Sequence, residues 1–113
     1  MSGPDSVMHV FDKGSGRPLI FLHGWASHGG YFAPQVEALT RDFRLVIPDL
    51  PGHRRSWAPL NELSIARLAT GLRSVIVEHR LDKPILIGWS MGAMVAFDYI
   101  AQFGTERIGG LVI

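Results

Sequence analysis

Apolar and polar positions along this chain alternate between short runs with the two-residue rhythm of strands and longer runs with a helical period, and that alternation predicts an α/β fold with a mostly parallel sheet. Val7 to Phe11 reads as an edge strand, followed by turn residues Asp12 to Gly16 that favour a hairpin with the next strand, Pro18 to Leu22. A loop through Gly29-Gly30 leads to a short helix over Pro34 to Thr40, and Phe43 to Ile47 forms the next strand, closed by Pro48-Asp49-Leu50-Pro51-Gly52. Ile65, Leu68, Ala69, Leu72, Val75 and Ile76 fall at helical spacing behind Ser64, a residue type suited to capping, so Ser64 to Arg80 is the clearest amphipathic helix. Pro84 to Ile87 is a short apolar strand. Met91 to Phe103 is apolar nearly all round, as expected of a helix buried between layers, with Gly104 as its stop. Ile108 to Ile113 reads as another buried strand, within which the sequence ends.

The most informative local pattern is Gly88-Trp89-Ser90-Met91-Gly92, at the junction between the Pro84 to Ile87 strand and the Met91 helix. A serine hydroxyl is a weak nucleophile, so an enzyme that uses one must expose it, supply a base and stabilise the oxyanion formed on attack. A tight strand-to-helix turn exposes the serine, and glycines two before and two after it leave room for that turn. A helix N-cap would account for Ser90 but not for both glycines. Ser90 is therefore the candidate nucleophile, and the backbone N–H of Met91 a candidate oxyanion donor at the positive end of the helix. The second donor is expected after an earlier strand, where His23-Gly24-Trp25 follows Leu19 to Leu22, and the N–H of Trp25 is in place to supply it. His23 reads as a side chain bracing that loop, and Trp25 and Trp89 are candidates for lining a substrate pocket.

Taken together, His23-Gly24-Trp25, Pro48-Asp49-Leu50-Pro51-Gly52-His53 and Gly88-Trp89-Ser90-Met91-Gly92 resemble the α/β-hydrolase family over nearly the whole chain. The pattern is most similar to small carboxylesterases, including pimeloyl-carrier-protein methyl esterases, and to cofactor-free haloperoxidases or perhydrolases. The resemblance implies a mostly parallel sheet with flanking helices, acyl transfer through a covalent intermediate on Ser90, Trp25 and Met91 as oxyanion donors, His23, Gly24, Gly88 and Gly92 as the supporting loop and elbow, and no cofactor. Two positions depart from it: Arg54 stands where glycine often follows the residue matching His53, and Ala93 where a third glycine is common.

In such a fold the acid and histidine follow the serine along the chain. The five histidines, His9, His23, His28, His53 and His79, all precede Ser90, and the only carboxylates after it are Asp98 and Glu106. Two helical turns separate Asp98 from the elbow, which places it about 12 Å along the axis, beyond reach of a base. His53 with Asp49 is a possible substitute pair, although the resemblance gives that histidine a place in a structural turn. The expectation is thus residues 1–113 as the N-terminal portion of a single domain, with the sheet incomplete at its C-terminal end and the acid and histidine lying elsewhere. The alternatives are a truncated non-catalytic binding protein and a cofactor-free perhydrolase or haloperoxidase that uses the same acyl intermediate on Ser90. An incomplete sheet would leave apolar surface open to self-association.

Bulk properties narrow the picture further. With 113 residues, 47% of them apolar, the chain can bury a core of its own. Eleven Lys+Arg balance ten Asp+Glu, with Arg54-Arg55 the only adjacent basic pair, which argues against nucleic-acid or anionic-membrane partners. Cysteine is absent, excluding disulfides and thiolate chemistry and fitting a cytoplasmic location. The N-terminus carries no signal-peptide pattern, and neither a metal-binding His pair nor a phosphate loop is present. The expected partner is a small-molecule ester or acyl substrate.

Overall fold

The computed structural model describes residues 8–24, 27–50, 53, 56 and 64–113. Its five strands are β1 (Val10–Lys13), β2 (Arg17–Leu22), β3 (Phe43–Pro48), β4 (Ile85–Gly88) and β5 (Gly110–Val112), and its α-helices are α1 (Ala33–Leu39), α2 (Ile65–Glu78) and α3 (Met91–Phe103). A 3-10 turn, Gly29–Phe32, leads into α1. The strands lie in the order β1-β3-β2-β4-β5. All neighbours run parallel except β1, which pairs antiparallel with β3 in the register Val10↔Pro48 to Lys13↔Leu45.

This arrangement follows from which strands can be buried on both faces. Pro18 to Leu22 of β2 are all buried, so β2 takes the centre, with β3 on one edge and β4 on the other. Along it, Leu19 and Phe21 point to one face, where they meet Phe32, Leu45 and Ile47 beneath α1. Ile20 and Leu22 point to the other, where Val46 and Leu86 meet Leu68, Leu72, Val75 and Ile76 of α2 and Val95, Ala96 and Tyr99 of α3. The period of two thus feeds two separate cores, one per face.

The expected hairpin between the first two strands does not form. β1 pairs with β3 instead, and the physical reason is burial: Phe11 to Lys13 are exposed, which suits an edge, whereas both edges of β2 are already taken by strands of the core. A bidentate ion pair fastens this edge, Arg44 Nε to Asp12 Oδ1 at 2.9 Å and Arg44 Nη2 to Asp12 Oδ2 at 2.6 Å, and His79 Nδ1 lies 3.2 Å from the same carboxylate at the end of α2. The guanidinium of Arg44 holds the Asp12 carboxyl below its ordinary value of 3.8.

The helices keep close to their sequence patterns. Ser64 caps α2, its Oγ accepting from Arg67 N at 3.2 Å, and Gly104 ends α3 at φ +79°. α3 departs from the expectation of burial all round: its Met91, Val95, Ala96 and Tyr99 are covered, but Met94 and Phe97 are more than half exposed. β5 is short and only partly buried. None of the described helices is long and apolar enough to cross a membrane.

Candidate active site

β2 and β4 are parallel neighbours in the register Leu22↔Gly88, so the loops leaving their C-terminal ends lie side by side. The loop after β2 begins His23-Gly24, and the turn after β4 carries Trp89 and Ser90 into α3. Trp89 N donates to Leu22 O at 3.1 Å, and Gly92 N and Ala93 N donate to Trp89 O and Ser90 O at 2.9 and 3.0 Å. These bonds wind the chain from strand to helix across two residues, the second of which has a positive φ.

Ser90 is that residue. Its backbone sits at φ +56°, ψ −117°, a conformation an L-residue adopts only under constraint, at a cost on the order of 1–3 kcal/mol. The side chain makes no capping bond to α3, and the residue is exposed. An ordinary N-cap would have extended backbone and a bonded hydroxyl, so the capping explanation of Ser90 does not describe this geometry. What holds the strain in place is close packing around it. A Cβ on Gly88 would lie 2.7 Å from Ala93 Cα and N, and one on Gly92 would collide with the carbonyl of Leu22. Both glycines are thus required where helix and strand approach most closely. Ala93 is itself buried in this contact without disturbing it.

As the first residue of α3, Met91 has a backbone N–H without an acceptor inside the helix, and the partial positive charge of the helix terminus gathers at the same place. Trp25 lies outside the described residues, and so does Arg54. Gly24, which precedes Trp25, packs against the elbow: a Cβ there would come within 2.8 Å of the Trp89 ring.

His23 braces the loop after β2. It is fully buried, its Nδ1 bonds Gly24 O at 2.8 Å, and its Nε2 accepts from Leu50 N at 3.0 Å, which identifies the Nδ1–H tautomer and ties this loop to the one after β3. Burial lowers its pKa below the ordinary 6.5, keeping the ring neutral. The ring of His53 lies edge-on to it at 5.0 Å. Asp49 is also buried and accepts from Gly29 N at 2.7 Å, giving the carboxylate a loop-holding role. Asp98 accepts from Gln102 Nε2 at 2.7 Å on the surface of α3, and Glu106 is exposed. No cluster of metal-ligating side chains occurs among the described residues.

One element of this region escaped the sequence reading. Tyr31, in the 3-10 turn, stacks on Trp89 with centroids 4.3 Å apart and planes 7° from parallel. Neither residue is in a periodic pattern that would pair them. A separate cavity of about 250 Å³ opens between β1, β3 and the 3-10 turn, lined by His9, Phe11, His28, Val36, Ile47 and Asp49 among others, and neither Ser90 nor Met91 is among the residues that line it.

Residues 17–113 match the sequence model of the family described as alpha/beta hydrolase fold. The chain belongs to the α/β-hydrolase family. It is 35% identical over 108 residues to the AB hydrolase superfamily protein YisY of Bacillus subtilis, covering 95% of this chain and 40% of that protein. It is 40% identical over 102 residues to a pimeloyl-[acyl-carrier protein] methyl ester esterase of Xanthomonas oryzae pv. oryzae, covering 88% of this chain and 38% of the relative. Among solved structures, an esterase from Exiguobacterium antarcticum superposes with a TM-score of 0.90 at 30% identity, covering 94% of this chain and 40% of that one. A bromoperoxidase from Bacillus anthracis superposes with a TM-score of 0.88 at 28% identity, covering 92% and 38%. This α/β-hydrolase chain thus spans about two fifths of the length of the relatives it matches.

Proposed function

We propose that this chain carries the nucleophile and the oxyanion-binding elements of a serine-dependent carboxylic-ester hydrolase. The observation that carries the reading is Ser90 itself: an exposed serine at φ +56° with no capping bond, at the N-terminus of α3. Such a conformation is costly, and it serves to hold a hydroxyl clear of the backbone. Membership of the family and the esterase names of its relatives support ester chemistry.

In the proposed reaction Ser90 Oγ attacks the ester carbonyl carbon and loses its proton to a base. The carbonyl oxygen, now an oxyanion, accepts from the backbone N–H of Met91 and of Trp25. Collapse of the intermediate breaks the carbon–oxygen bond to the alcohol, which leaves with a proton, and water then hydrolyses the acyl-Ser90 ester to release the acid. His23 is positioned to brace the loop rather than act as this base, because both of its ring nitrogens already hold backbone groups. We place the base and its acid partner outside residues 1–113, since no histidine follows Ser90.

A fluorophosphonate probe tests the assignment, because it forms a phosphorus–oxygen bond to an activated serine and expels fluoride. Labelling that maps to Ser90 by peptide mass spectrometry and disappears in Ser90→Ala is the expected result. Equal labelling of the folded Ser90→Ala variant would overturn it.

The bromoperoxidase neighbour favours one second reading, in which hydrogen peroxide instead of water resolves the acyl-enzyme and releases a peracid. Both readings use the same Ser90 ester. Peracid-dependent bromination with acetate and peroxide, lost in Ser90→Ala, separates it from plain hydrolysis.

A further inference from the structure

The loop after β2 is tied to the segment after β3 at two points. At the first, His23 Nε2 accepts from Leu50 N at 3.0 Å, and at the second, Asp49 Oδ1 accepts from Gly29 N at 2.7 Å. Residues 24–28 run between these ties, and they include Gly24, which packs against the Trp89 ring, and Trp25, the proposed oxyanion donor. The Asp49 tie is backed by the edge of the sheet, because Asp49 N donates to His9 O at 2.9 Å. The His23 tie rests on one lone pair.

That lone pair is the only basic position of the ring. Nδ1 faces the Gly24 carbonyl at 2.8 Å and therefore carries the hydrogen, whereas Nε2 faces a backbone donor and is therefore bare. A proton taken from solvent must go to Nε2, where it confronts the N–H of Leu50, and two donors then stand where a donor and an acceptor stood. The bond to Leu50 breaks, while the bond from Nδ1–H to Gly24 O is kept. Protonation thus cuts the tie between the two segments and leaves the ring attached to its own loop. His23 and Leu50 are both fully buried, so the separated donors reach water only if the loop moves away.

The charged and titratable groups that act on this ring among the described residues are Asp49 and His53, from the segment after β3, and His28, from the segment ahead of the 3-10 turn. A proton on His28, or on His53 with its ring edge-on at 5.0 Å, opposes one on His23, and the Asp49 carboxylate favours it. Burial is the largest influence and holds protonation back to below 6.5.

We propose that His23 is an acid-sensitive latch: a proton on Nε2 releases the loop after β2 from Leu50 and withdraws the Trp25 N–H from the oxyanion while the sheet stays folded. His23 is then a positioning residue, acting through the loop and touching no substrate. The catalytic consequence rests on Ser90 as nucleophile and Trp25 as oxyanion donor; the release itself does not.

The purified protein is titrated from about pH 8 to about pH 5 while NMR follows the His23 ring nitrogens, the Leu50 amide and, as a control for the fold, the Leu86 amide in β4. In parallel, the rate of fluorophosphonate labelling of Ser90 is measured across the same range for the wild type and for His23→Gln, whose side-chain carbonyl can accept from Leu50 N but takes up no proton. We expect the Leu50 amide to move with the His23 ring at a midpoint below 6.5 while Leu86 stays in place, and His53→Gln to raise that midpoint by removing a like charge. The ratio of His23→Gln to wild-type labelling rates is expected to rise about tenfold between neutral pH and about one unit below the midpoint, where about a tenth of the wild type remains latched. A Leu50 amide that ignores the His23 titration, moves only together with Leu86, or shifts equally in His23→Gln would overturn the latch, and so would a ratio that stays flat. Absence of labelling at every pH, with the Leu50 shift present, would instead remove Ser90 as the nucleophile and leave the latch standing. The wild-type and His53→Gln titrations decide the latch without relying on the folding of His23→Gln.

Discussion

Ser90 and its two glycines show how a few residues set a local energy that the rest of the domain must hold. A strained φ of +56° persists because Gly88 and Gly92 let α3 sit against β4 and β2. Gly92→Ala would push a methyl into the Leu22 carbonyl, so we expect it to lower the thermal midpoint and to abolish labelling of Ser90 together. Loss of labelling at an unchanged midpoint would show that the glycine serves the site without serving the packing. Tyr99 presents the opposite case. Its hydroxyl is buried and has no hydrogen-bond partner among the described residues, and its pKa is raised by burial. An unmet buried donor costs about 1–3 kcal/mol, so Tyr99→Phe is expected to leave stability unchanged or raise it by up to that amount in a urea titration. A clear loss of stability would mean that the hydroxyl has a partner after all.

Elements rather than single residues govern the pH response. His23 joins the loops after β2 and β3 as a neutral ring, and its pKa lies below 6.5 chiefly because it is buried. Unfolding releases a histidine that takes up a proton more readily than the native one, so the stability this contributes is full above 6.5 and is lost as pH falls from there towards the native value. Asp12 adds a second loss at lower pH: its lowered pKa stabilises the fold above 3.8, and the contribution fades as pH drops through the native value, unlocking β1 from β3. We expect the urea midpoint to decline as pH falls below neutrality, with the ring signals of His23 in NMR at pH 6.5, where an ordinary histidine is half protonated, mainly those of the neutral form. Protonation of His23 at the ordinary value would refute this account. The capped start of α2 is a further element-level determinant, and Ser64→Ala should cost about 0.5–2 kcal/mol by the same titration.

At the scale of the whole molecule, the two cores are uneven. α2 and α3 cover one face of the sheet, whereas α1 alone, with Phe32, covers the other among the described residues. Met94, Phe97, Val112 and Ile113 remain more than half exposed. A protein consisting of residues 1–113 is therefore expected to self-associate in sedimentation experiments, and Phe97→Lys combined with Met94→Lys to reduce that association. A monodisperse wild-type monomer would contradict the expectation.

How far these features could be read in advance depends on the range of the interactions behind them. The helix over Ile65 to Glu78, its Ser64 cap, the strands through Leu22, Ile47 and Ile87, and the elbow at Ser90 rest on spacing within a dozen residues, and local spacing is what a chain displays. The bracing role of His23 was also legible, because it follows a strand at the sheet's C-terminal edge. By contrast, the antiparallel place of β1 beside β3, the stack of Tyr31 on Trp89, the open side of α3 and the orphaned hydroxyl of Tyr99 were settled only by tertiary structure. Each depends on which strand claims the doubly buried centre of the sheet and on which distant side chains then meet, and periodicity along the chain carries no record of either.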